Sequence, residues 1–166
     1  MMAETMTLSK LFECGIAAEN AARDFYLELI RKFSSRPVVG AFWKLMVEDE
    51  EEHARILKKS RDCVPPDKLG DIVDAAMAEK AKAIYRLSVS EMLDSIHNLN
   101  DAYMLAHDLE YSEVNTLFNF LKLKLIPRDE KEKLSPDLID RHLRRLVDFE
   151  KTFGDAEMRK GIAVDA

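Results

Sequence analysis

Phe42 to Leu57 reads FWKLMVEDEEEHARIL, and its spacing decides the fold. The apolar stripe through it runs Val39, Trp43, Met46, Glu50, His53, Leu57, in alternating steps of three and four. A helix turns once in about 3.6 residues, so these side chains share one inward face. The neighbouring acids Glu48, Asp49, Glu51 and Glu52 fall off that face and are expected to meet water. Glu50 and His53 are left as a carboxylate and an imidazole one turn apart in an apolar seam. A charge there is costly unless it is paired or bound to metal.

Composition limits the surroundings of that helix. The 166 residues suit one domain, with 47% hydrophobic and 34% charged residues but only 5 Gly and 5 Pro. Many helix formers and few turn formers predict an all-α fold. A net charge of -6 without a basic stripe argues against a nucleic-acid partner. No apolar run has the length of a membrane span, and the first residues do not read as a signal peptide. Cys14 and Cys63 are isolated, so no thiolate metal site is encoded, and a reducing cytoplasm is the expected compartment.

Four main helices follow from the same counting, at about 8–33, 37–60, 88–125 and 136–154. A long, partly helical crossover at 61–87 joins the second to the third. The first has Thr7 as its cap and the seam Leu8, Phe12, Gly15, Glu19, Ala22, Tyr26, Leu29, Phe33. Ser34, Ser35 and Pro37 end it and start the second, making the two antiparallel neighbours. The third is expected to begin at the capping box Ser88-x-x-Glu91. Its seam is Met92, Ile96, Leu99, Tyr103, Ala106, Glu110, Glu113, Leu117, Phe120. Ser135-Pro136-Asp137 starts the fourth, with the seam Ile139, His142, Leu146, Phe149, Phe153.

The ionisable members of the four seams are Glu19, Glu50, His53, Glu110, Glu113 and His142. No Lys, Arg or Asp stands among them. Four carboxylates in one core without cations would repel one another and raise each other's pKa. Metal ions resolve this, and two divalent ions balance four carboxylates with both imidazoles neutral. Oxygen and nitrogen donors suit iron or manganese more than a structural zinc site.

These residues resemble the rubrerythrins of the ferritin-like di-iron superfamily. The resemblance rests on AAENAARDFY around Glu19, EDEEEHARIL around Glu50 and His53, AHDLEYSEVNTLF around Glu110 and Glu113, and DRHLRRL around His142. It implies a single ferritin-like domain over 1–166, a four-helix bundle, and an Fe2+/Fe3+ pair as cofactor, with manganese or zinc as alternatives. Glu50 would bridge, Glu19 and Glu110 would each serve one metal, and Glu113 and His53 would alternate as ligands of one iron. His142 would bind the other. The implied activity is reduction of hydrogen peroxide, or oxidation of ferrous iron by peroxide or dioxygen. Electrons would come from a separate donor such as a rubredoxin, and a homodimer is expected. Tyr26 and Tyr103, two turns from Glu19 and Glu110, are candidates for hydrogen bonds to the ligand carboxylates.

Two departures stand out. Ile139 occupies the place of the family's bridging acid on the fourth helix, and no rubredoxin domain is attached. An iron-storing protein and a non-catalytic binding module are the rival readings, the latter supported by Ile139.

Overall fold

The computed structural model describes residues 5–85, 89–111, 121 and 141–160. Six helices are seen among them: α1 (Leu8–Lys32), α2 (Pro37–Asp62), α3 (Ala75–Tyr85), α4 (Val89–Asp94), α5 (Leu99–Glu110) and α6 (Arg141–Met158). The described chain is all-α, and Thr7 and Ile72 form an isolated antiparallel β-bridge.

The side chain of Thr7 accepts from Lys10 N at the start of α1, and all eight seam residues of this helix are buried. Pro37 fills the first turn of α2, where a missing N–H costs nothing, and the six seam residues there are buried as well. Glu19 meets His53 while Tyr26 stacks on Trp43, so the helices run antiparallel. Phe12, Phe25, Tyr26, Trp43 and Met46 are among the fully buried side chains of the core.

The crossover returns to the start of α1. Leu8 N donates to Asp71 O and Ser9 N to Leu69 O, each at 2.9 Å, and Val73 N donates to Met6 O at 3.0 Å. Amides that a helix start leaves unpaired are thereby satisfied. The segment then forms α3, which packs on α1, as does α4.

The expected cap Ser88 lies outside the described residues, and the third main helix is not continuous beyond it. Residues from Val89 form only the six-residue α4, and the chain turns before α5. Ser95 Oγ donates to Met92 O at 2.8 Å, and Ile96 N donates to Leu93 O at 3.2 Å, tightening the end of α4. Asn98 then caps α5, its side chain accepting from Asp101 N at 2.9 Å, while Asp101 accepts from His97 N. Short polar side chains here offer the backbone partners outside a helix, and that outweighs the apolar period running through them. Ile96 and Leu99 still reach the core.

Helix α6 packs against α5 and α2. At Gly154 the backbone swings to φ 59°, ψ 166°, close to the expected end of the fourth helix. Residues 112–120 and 122–140 lie outside the described residues, and with them Glu113, Ile139 and the Ser135-Pro136-Asp137 start.

Candidate metal centre

Five of the six seam residues converge. Helix α1 contributes Glu19, α2 contributes Glu50 and His53, α5 ends on Glu110, and α6 brings His142. All five are buried. His53 Nδ1 lies 3.1 Å from Glu50 Oε2 and 3.4 Å from Glu19 Oε2. On the opposite side, His142 Nε2 lies 3.0 Å from Glu110 Oε2. The two imidazoles meet edge to face, with ring centroids 5.1 Å apart. One ligand atom each of Glu50, His53 and His142 fits within 4.8 Å of the others, a spacing that could hold a cation.

Burial and like charge set the protonation of this cluster. Burial pushes Glu50 well above the usual carboxylate range, and the charge of Glu110 adds to the rise against the opposing pull of His53. Burial alone would lower His53, yet its hydrogen bonds to Glu19 and Glu50 and their charges drive it up to about 11. Burial would also raise Glu110, but His142 and the Tyr26 hydroxyl outweigh it and hold that carboxyl below its ordinary value. The helix dipole does not help, since Glu110 stands at the negative end of α5. Between two buried acids, the proton on His53 thus supplies the positive charge that a metal ion would bring.

The donor set fits a metal on a second ground. Glu50 Oε1 is buried without a hydrogen-bond partner, and so is His142 Nδ1. His142 Nε2 has only its close approach to Glu110, which misses hydrogen-bond geometry. Buried polar atoms normally find partners, and each one left alone costs about 1–3 kcal/mol. Unpartnered buried atoms on Glu50 and His142, two residues of one cluster on separate helices, are what a bound cation satisfies.

The two tyrosines part company. Tyr26, fully buried, donates from its hydroxyl to Glu110 Oε1 at 2.5 Å. Tyr103 instead donates to Glu150 Oε2 at 3.3 Å, because its hydroxyl points along α6 away from the cluster. His97 and His107 stay out of the site, the latter stacking on Tyr111.

Asp49 was expected at the surface and is buried. It receives Arg141 on Oδ1 and Arg145 on Oδ2, the second at 2.5 Å, and Arg145 also donates to Leu45 O at 2.6 Å. Two arginines therefore do turn inward, though towards Asp49 and not towards the clustered glutamates. Arg141 and Arg145 stand one turn apart on α6 and flank His142. Their grip on α2 sets the level at which His142 faces Glu50 and His53. The signal in the sequence was this Arg-His-x-x-Arg order opposite an Asp-Glu pair.

No helix among the described residues is long and apolar enough to cross a membrane. A crystal structure described as that of a ferritin-like diiron-carboxylate protein from Thermotoga maritima superimposes with a TM-score of 0.67. It shares 20% identity and covers 90% of this chain and 97% of its own, which shows the ferritin-like fold. No curated protein sequence matches the chain. The rubrerythrin family model matches residues 10–134, three quarters of the sequence and three of its four main helices, and the chain belongs to the rubrerythrin family.

Proposed function

We propose that the chain is a non-haem di-iron oxidoreductase that reduces hydrogen peroxide or oxidises ferrous iron with peroxide or dioxygen. The observation that carries this reading is the pair of orphaned donors, Glu50 Oε1 and His142 Nδ1, inside a cluster of buried carboxylates and imidazoles. Glu19, Glu50, His53, Glu110 and His142 would hold the ions, with Glu113 as a further ligand from the stretch after α5. Two ferrous ions would supply the two electrons that peroxide takes up in becoming water.

The protein's own contribution is protonation, orientation and dryness. To hold an ion, His53 would give up the proton that it shares with Glu19 and Glu50, freeing the Nδ1 lone pair. Tyr26 steadies Glu110 from behind. Arg141 and Arg145, fixed on Asp49, hold His142 at the level of α2. Burial of the whole cluster strengthens each of these interactions and keeps bulk water out. A separate donor protein of the rubredoxin kind would restore the electrons in the cytoplasm, and a homodimer would be the working unit.

A second reading, a binding module without turnover, draws on Ile139 in the place of a bridging acid. Metal analysis of protein grown with iron, followed by absorbance on peroxide addition, separates the two. Iron that oxidises rapidly with peroxide supports the oxidoreductase. A zinc-filled or metal-free protein indifferent to peroxide supports the module.

A further inference from the structure

A chain of touching rings leads from the metal cluster to the surface. At its inner end Tyr26, bonded to Glu110, stacks on Trp43 with centroids 5.8 Å apart and planes 13° from parallel. Trp43 lies 5.2 Å from Phe149, which stacks on Tyr103 at 6.1 Å with planes 6° apart. Tyr103 is followed by His107 at 6.2 Å and His107 by Tyr111 at 4.4 Å, and Tyr111 is 60% exposed. Contacts of this length are ordinary core packing taken singly. What packing does not explain is the order: two oxidisable rings, an inert one, an oxidisable one, an imidazole and an exposed phenol, without a gap.

We infer that Trp43 and Tyr103, bridged by Phe149, form a relay that carries single electrons between the surface near Tyr111 and the buried cluster. The environments of the two relay residues suit that task. Trp43 Nε1 is buried without a hydrogen-bond partner, so an oxidised indole has nowhere to send its proton. It remains a radical cation, a stronger oxidant than the deprotonated indole radical. Tyr103 is the reverse case, because its hydroxyl already donates to Glu150 Oε2. The phenol can therefore lose an electron to Trp43 and its proton to Glu150 together, which restores neutral Trp43 and leaves a neutral phenoxyl. Phe149 is too hard to oxidise to hold the charge and acts only as the bridge. A one-electron reductant at the Tyr111 edge, a reduced electron-transfer protein or a thiol, refills Tyr103, and Glu150 returns the proton. Each cycle moves one electron inward. Peroxide at the cluster is the oxidant that takes each electron from Trp43: two such electrons, with two protons from solvent, turn one peroxide into two waters. Use of the relay in turnover rests on the oxidoreductase reading above, whereas its existence does not.

The chain has a single tryptophan among four tyrosines, which allows a test that needs no metal. A laser pulse absorbed by the indole alone ejects an electron from Trp43 in the intact chain, and transient absorption follows indole and tyrosyl radicals. Tyr26→Phe serves as the background, since Tyr26 also touches Trp43. The tyrosyl signal is expected to grow as the indole signal decays, and adding Tyr103→Phe should abolish that growth. Glu150→Gln and Phe149→Leu should each slow it with Tyr103 in place, in proteins whose helical circular dichroism is unchanged. Tyrosyl growth that persists without Tyr103, or its absence from the Tyr26→Phe protein, would overturn the relay. Because light supplies the oxidising event, either outcome stands whether or not the cluster reacts with peroxide.

Discussion

Tyr26 donates its hydroxyl proton to Oε1 of Glu110 over 2.5 Å, tying α1 to the last residue of α5 across 84 positions of sequence. The contact is fully buried, and Glu110 also faces His142. One phenol thus bonds a carboxylate at the helix end where the dipole is least favourable to it.

Removing that phenol's hydroxyl leaves Glu110 Oε1 buried without a donor. Tyr26→Phe is expected to destabilise the metal-free protein by about 1–3 kcal/mol, read as a lower urea midpoint at unchanged slope. Tyr103→Phe should cost less, about 0.5 kcal/mol, because its bond is long and Glu150 reaches water. Equal losses in the two variants would contradict the special place given to Glu110.

Asp49 neutralises Arg141 and Arg145 from a buried position, while both guanidinium groups keep part of their surface in water. Asp49→Asn is therefore expected to cost about 1–3 kcal/mol in urea unfolding, below the toll of breaking a fully buried pair. Since the same arginines flank His142, metal affinity should fall with stability. A variant that unfolds earlier but binds metal unchanged would show that the arginines brace α6 without placing the histidine.

The folded chain holds His53 protonated up to about 11, against an ordinary value of 6.5. A raised pKa on a base stabilises the fold fully below the unfolded value, and that contribution fades as pH climbs through the folded one. The metal-free protein should accordingly lose stability between about pH 7 and 11. The metal-bound protein should lack this decline, because the ion has replaced the proton. Urea unfolding at several pH values, with and without metal, checks this, and parallel curves would refute it.

Gly154 adopts φ 59° with nothing within 4 Å of the place a Cβ would take. Gly154→Ala meets no clash and pays only for the backbone, so a loss of about 1 kcal/mol is expected, with metal binding intact. A stabilised Gly154→Ala protein would mean that α6 continues straight through this point in solution.

The sequence exposed the parts of the fold governed by period. Glu19, Glu50, His53, Glu110 and His142 were legible because each interrupts an apolar stripe with a group that a core rejects unless it has a partner. The break between α4 and α5 was hidden because Met92, Ile96 and Leu99 keep the helical period across it. The competing pull came from Ser95, Asn98 and Asp101, whose hydrogen bonds to backbone carry no periodic signature. Asp49 was missed for a related reason. Its place on α2 is off the stripe, and only the approach of α6, with two arginines in register, makes that flank an interior. Tyr26 and Tyr103 looked equivalent by spacing. Which helix each hydroxyl meets depends on packing angles that no single helix contains.

A buried cluster of carboxylates and imidazoles built to hold cations should take up iron in solution. Anaerobic calorimetric titration of the metal-free protein with ferrous iron, repeated in two buffers of different protonation enthalpy, tests it most directly. About two irons per chain should bind with release of protons, and Glu50→Ala should lose most of that binding while keeping its helical circular dichroism. Wild-type protein that takes up no iron, or a Glu50→Ala protein that binds it equally well, would contradict the account.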